Sequence, residues 1–184
     1  MKRGLVIVSM LILCTSIGNA AIEQGQYEIG ALASISTRDD TDGSTRDIYS
    51  LNLDVACFVT DNLSVGGDFG GDWRDASDGL TVDQYNLGIK AKYHIYIEQQ
   101  LVPYFGLALG ICNLKSKATV LNSTTTSEYD GFYYTPIIGM RYELNRSNDL
   151  YTEFQYRCYS GNVKSDFGLD KECKLMIGIL HQFN

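Results

Sequence analysis

The sequence predicts an all-β chain, an eight-stranded antiparallel up-and-down β-barrel that is exported and spans a membrane. Three observations predict it. Apolar residues recur at every second position along nearly the whole chain, as in strands with two different faces. Short and long polar segments alternate between those strands. The first twenty residues have the form of a secretory leader.

In that leader Lys2 and Arg3 precede an apolar run from Leu5 to Ile17, and Gly18-Asn19-Ala20 stands before Ala21. The run falls short of the roughly 20 apolar residues that a spanning helix needs. Small residues at Gly18 and Ala20 suit cleavage after Ala20, so 1–20 reads as a cleaved signal peptide and 21–184 as one barrel domain. A retained anchor is the weaker alternative. Cys14 follows Leu13, where a lipid-modification site wants a small residue, which sets a lipoprotein aside. The net charge is −7, and losing Lys2 and Arg3 makes the exported part more acidic still. With no basic stripe, the chain is not built for nucleic acid. Export permits disulfides, and Cys158 and Cys173 flank one proposed loop. They are the candidate bridge, with free thiols as the alternative.

The first strand, Tyr27 to about Thr37, sets Tyr27, Ile29, Ala31, Ala33 and Ile35 against Glu28, Gly30, Leu32, Ser34 and Ser36; Arg38 to Arg46 reads as a polar loop. The second, Asp47 to Val59, sets Leu51, Leu53 and Val55 against Ser50, Asn52 and Asp54, and Thr60-Asp61-Asn62 makes a tight turn. The third, Leu63 to Trp73, carries Val65, Phe69 and Trp73 opposite Asp68 and Asp72, before a loop over Arg74 to Thr81. The fourth, Val82 to about Tyr96, alternates Leu87, Ile89 and Ala91 with Gly88, Lys90 and Lys92; a short turn follows. The fifth, Leu101 to about Leu114, leads into the longest expected loop, the Ser/Thr-rich stretch Lys115 to Asp130. The sixth, Phe132 to Leu144, contains Pro136, which cannot donate to a ladder and should mark a bulge or an open rung. After a short turn come the seventh strand, Leu150 to Tyr159, a polar loop over Ser160 to Asp170, and the eighth strand, Lys171 to Phe183.

A soluble sandwich or a lipocalin-like binder also alternates, so the two faces must choose. Glu28, Asp54, Asp68, Asp72, Lys90, Lys92, Arg141, Glu143, Glu153, Arg157 and Lys174 all share the parity opposite to the apolar set. The apolar face carries almost no charge, as lipid demands, since a Lys or Arg there costs about 2–4 kcal/mol at mid-membrane. Tyr and Trp on it gather near strand ends, suiting interface belts. A lipocalin would carry Gly-x-Trp on its first strand, whereas Gly71-Asp72-Trp73 closes the third.

Three runs, Phe58 to Gly67 (FVTDNLSVGG), Tyr85 to Tyr93 (YNLGIKAKY) and Val102 to Gly110 (VPYFGLALG), resemble the OmpA/OmpX-type outer-membrane barrel domain. The resemblance covers nearly all of Tyr27 to Phe183, the barrel domain alone. It implies a location in the outer membrane of a Gram-negative-type cell, embedded in outer-membrane lipid, and a monomer. It also implies assembly by the barrel-assembly machinery, which reads an aromatic residue at the chain end, here Phe183 before Asn184.

Chemistry beyond the wall is sparse. Only His94 and His181 could serve a Ser/His/acid set, and neither stands in a His-x-Ser arrangement, so no catalysis is expected. No Cys-x-x-Cys or close His pair suggests a metal, and the acidic run Asp39 to Gly43 reads as a solvated loop; no cofactor is expected. The constellation with promise is inside: Lys90, Lys92, Arg141, Glu143, Glu153 and Arg157 should form a charge network across the barrel. It reads first as a plug that rigidifies the interior, and second as a gate. The function expected is therefore structural or adhesive, with four outer loops meeting a host or cell-surface ligand. The alternative is a narrow low-conductance pore or a channel for small hydrophobic molecules.

Overall fold

In hydrocarbon a strand has no water for its N–H and C=O groups, so an alternating chain must pair every edge, which only a closed ring achieves. The computed structural model describes residues 24–39, 45–76, 80–97, 100–120 and 123–183; the expected leader lies outside them. Within them run β1 (Tyr27–Asp39), β2 (Thr45–Thr60), β3 (Leu63–Ala76), β4 (Leu80–His94), β5 (Leu101–Val120), β6 (Ser123–Asn145), β7 (Asn148–Gly161), the short helix α1 (Asn162–Ser165) and β8 (Lys171–Phe183). Each strand pairs antiparallel with the next, and β8 returns to β1 from Tyr27↔Phe183 to Ala33↔Ile177, closing the barrel. The predicted fold class is the one observed, and the eighth strand has the expected bounds.

Several boundaries differ, mostly by strands reaching into expected loops, although β4 stops at His94, short of the expected Tyr96. Lys115 to Asp130, expected as a loop, is the upper part of the β5–β6 hairpin. Lys115 pairs with Glu128 at 2.8 Å, the hydroxyls of Thr119 and Thr124 meet at 3.2 Å, and Asn113 Nδ2 donates to Asp130 Oδ1 at 2.8 Å. A ribbon that is polar on both faces has no apolar stripe for periodicity to find, although Thr is a good strand residue. Likewise β3 continues through Arg74 and β1 to Asp39. At the other end the connections stay tight: Asn62 in the β2–β3 turn and His94 at the end of β4 exchange backbone and side-chain bonds at 2.7 and 3.0 Å.

Pro136 opens a rung, as expected. The β6–β7 ladder runs to Tyr134↔Cys158 and resumes at Ile137↔Gln155 without a change of register. Arg157 Nε donates to Thr135 Oγ1 at 3.2 Å within that gap.

The wall is inside out compared with a soluble protein. Ile35, Leu53, Leu87, Ile89, Phe105, Ile111, Ile138 and Leu175 are exposed on it, and Tyr27, Tyr49, Trp73, Tyr85, Tyr93, Tyr134 and Tyr142 lie toward its rims. Inward residues are small where strands crowd. A Cβ on Gly178 would run into the backbone of Ala31 and Leu32 at the seam between β8 and β1, where nothing can rotate aside. Gly178→Ala is therefore expected to cost about 1–3 kcal/mol by overpacking, measured as a lower urea midpoint of the refolded barrel, whereas Ile177→Ala on the lipid face should leave closure intact on a heat-modifiability gel.

Candidate functional site

Inward-facing charges from seven strands converge on two linked groups. In the lower one, Lys90 Nζ lies 2.8 Å from Asp54, 3.2 Å from Asp68 and 3.5 Å from Glu153. Lys92, one inward position along β4, reaches Asp54 at 3.2 Å, Glu28 at 3.6 Å and Glu153 at 3.8 Å. Arg141 joins Glu28 at 3.1 Å and is clasped by Asp149. Tyr133 donates to Asp68 at 2.8 Å and Tyr104 to Glu153 at 3.1 Å, while the Arg157 guanidinium stacks over the Tyr133 ring at 4.6 Å. Alternation along each strand delivers these groups to one side, and closure makes that side an interior.

The upper group sits nearer the hairpin end. Lys174 bonds Asp72 at 2.5 Å and lies 3.3 Å from Glu172, which Arg74 meets at 2.9 Å. Gln84 links Arg74 to Tyr159, accepting from the first at 3.1 Å and donating to the second at 2.8 Å; Tyr159 donates to Glu172 at 2.8 Å. Members of the lower group are at most 3% exposed, so no water-filled bore passes their level. Charges held this far from water are retained by their partners, since an unpaired one costs several kcal/mol.

Five of the six sequence-predicted residues, Lys90, Lys92, Arg141, Glu153 and Arg157, meet here. Glu143 does not join them: it stands half-buried at the rim opposite Asp149 on β7, a like charge, with no ion pair among the described residues. Three members went unforeseen. Asp149 and Arg74 fell in segments expected to be turn and loop, although both share the inward parity of their strands. Glu172 lies inward at the start of β8, two residues before Lys174.

Cys158 and Cys173 are free thiols in this structure. Cys158 faces Lys171 and Cys173 faces Tyr156 across β7–β8, so the two are diagonal neighbours rather than opposite ones. Diagonal neighbours lie about 7–8 Å apart, with their Cβ atoms somewhat closer, wider than the roughly 3.5–4.5 Å between Cβ atoms in a disulfide. The chain also brings together a pair that spacing could not suggest: Ser64 Oγ lies 3.1 Å from His94 Nε2, buried between the rings of Phe58 and Tyr104. His94 Nδ1 has no partner among the described residues, so the acid of a triad is not in place. On the outer wall a groove of about 510 Å³ runs between Tyr85, Leu87, Ile111 and Phe132, reaching Gly161.

The family described as "Outer membrane protein beta-barrel domain" matches residues 6–171. Among solved structures the chain is similar to Neisserial surface protein A, NspA, at 15% identity and a TM-score of 0.62, over 87% of this chain and 98% of that one. It is similar to Ail, the attachment invasion locus protein of Yersinia pestis, at 16% identity and 0.55, over 87% and 99%. OprG of Pseudomonas aeruginosa matches at 15% and 0.55, over 92% and 100%. At such identities the likeness is one of fold. No curated protein matches by sequence.

Removing one cation from the lower group leaves carboxylates facing one another. Lys90→Met is expected to lower the unfolding free energy in lipid vesicles by about 3–5 kcal/mol. Lys115→Met, which breaks an exposed pair, should cost under about 1 kcal/mol in the same urea titration.

Proposed function

The chain belongs to the outer membrane protein β-barrel family, and on that premise we propose that it is a surface-interaction protein of the outer membrane, exported by a leader cleaved after Ala20, without catalysis and monomeric. The observation that carries this is the β5–β6 hairpin. β6 is 23 residues long and β7 only 14, so β6 outruns its neighbour. Pairing with β7 begins at Gly131↔Gly161, which leaves Ser123 to Asp130 with backbone groups on one edge that no described strand takes up. Such an edge accepts an added strand from a partner. The segment is Ser/Thr-rich and without Pro, so it suits an extended polypeptide on a host or neighbouring cell.

Ail has been solved with the heparin analogue sucrose octasulfate. A sulfated sugar suits this chain less, because its net charge is −7 and Lys115 and Lys117 are already met by Glu128 and Asp83. The barrel beneath serves as a rigid stand, filled by its ion pairs and assembled by the barrel-assembly machinery. A second reading, passage of a small hydrophobic molecule, draws on the apolar wall groove beside Gly161.

Replacing residues 115–130 by a two-residue Asn-Gly turn is expected to keep the heat-modifiable gel mobility and to abolish adherence of cells displaying the protein to cultured host cells; adherence that persists would refute the proposal. Planar-bilayer recordings should be silent for the wild type and for Arg157→Ala. Current steps that appear in either would favour a pore.

A further inference from the structure

The β7–β8 connection, all of it among the described residues, is not a plain continuation of its strands. Where β1, β3 and β5 continue as strands, the chain here leaves the ladder at Gly161, turns through α1 and re-enters at Lys171. A glycine stands at each bend. Gly161 has φ 76° and ψ −154°, a region essentially closed to other residues. Gly168 has φ 82°.

Between them the underside is apolar. Val163 is fully buried, its Cβ 3.2 Å from where a side chain would start on Gly131. Phe167 packs on Tyr129 with ring centroids 5.4 Å apart, and with Leu169 it joins the cluster that holds Leu80, Val82 and Leu114. The upper side is polar, closed by an exposed Lys164–Asp170 pair at 2.8 Å. The segment's own bonds run inward: Asp166 and Phe167 donate to Asn162 O, and Leu169 to Val163 O. Its ends are tied to the barrel, Asp170 O accepting from Tyr159 N at 2.9 Å and Gly161 pairing with Gly131, and between them it rests on a few apolar side chains.

Gly131 has inward parity on β6, so Val163 lies over the lumen. Directly across the β5–β6 ladder from Gly131 is Cys112, inward and 3% exposed. The Arg74–Glu172 and Tyr159–Glu172 bonds of the upper charge group lie on the same side.

We propose that Gly161–Asp170 is a hinged lid over the outer mouth of the barrel, seated by Val163, Phe167 and Leu169 and turning at Gly161 and Gly168, whose opening exposes Cys112 and the Arg74–Glu172 pair to outside water. The proposal is independent of what the hairpin binds. Pieces held by few buried contacts open locally, well below the free energy of global unfolding.

The test uses the full barrel in lipid vesicles with Cys57, Cys158 and Cys173 changed to Ser, leaving Cys112 as the reporter for a charged methanethiosulfonate reagent. A Cβ on Gly168 meets nothing within 4 Å, so Gly168→Ala disturbs only the backbone bend. It is expected to raise the labelling rate about tenfold, the effect of placing a side chain on a left-handed residue, with normal gel mobility. An unchanged rate in a barrel of normal mobility overturns the lid. In the unmodified protein the Phe167 and Leu169 amides should exchange with deuterium far faster than the amides of β7 and β8. Exchange only in step with those strands overturns it as well.

Discussion

The pairing of backbone groups in a medium without water governs this molecule. Every N–H and C=O inside the hydrocarbon must find a partner in the protein, so the last strand has to come back to the first. The β1–β8 ladder from Tyr27↔Phe183 to Ala33↔Ile177 is that return. Gly178 sits at its tightest point because a side chain there would meet backbone. The opening at Pro136 keeps register on both sides, and the register shifts at Phe58/Thr60 and Glu143/Asn145 lie beside the short turns.

Closing so few strands makes a ring narrow enough for side chains to fill. The polar face of every strand is turned inward, and polarity that would be solvated in a sandwich must here be satisfied by pairing. Lys90 answers three carboxylates from β2, β3 and β7, which ties distant strands together more specifically than apolar packing would. A network of this kind adds little or no net stability relative to a well-packed apolar filling, but losing one member is severe. It therefore holds one arrangement of the strands.

The two ends of the ring differ in how their connections are built. At the turn end Asn62 and His94 lock neighbouring connections, and Tyr96 donates to Asp61 O at 3.0 Å. At the other end strands continue past the lipid to unequal heights, high at β5–β6 and low at β7–β8. A free strand edge stands on the high side and an apolar cap lies on the low side. The proposed interaction chemistry lies where the scaffold stops being constrained by lipid.

The polar segments between strands determined the strand count and the antiparallel order, and alternation determined the direction each residue faces and the inward set to which Lys90, Lys92, Arg141, Glu153 and Arg157 belong, because a period of two needs no knowledge of neighbours. It failed at Lys115 to Asp130, where both faces of a ribbon are polar and the signal vanishes, and at Asp149 and Arg74, where strand ends were cut by polarity rather than by parity. Partnership was decided only by tertiary structure. Glu143 shares Arg141's parity yet faces Asp149, Cys158 and Cys173 miss each other by one diagonal step, and Ser64 meets His94 from thirty residues away. Which inward atoms touch depends on register and on the curvature of the closed sheet, and those are properties of the ring as a whole, carried by no single strand.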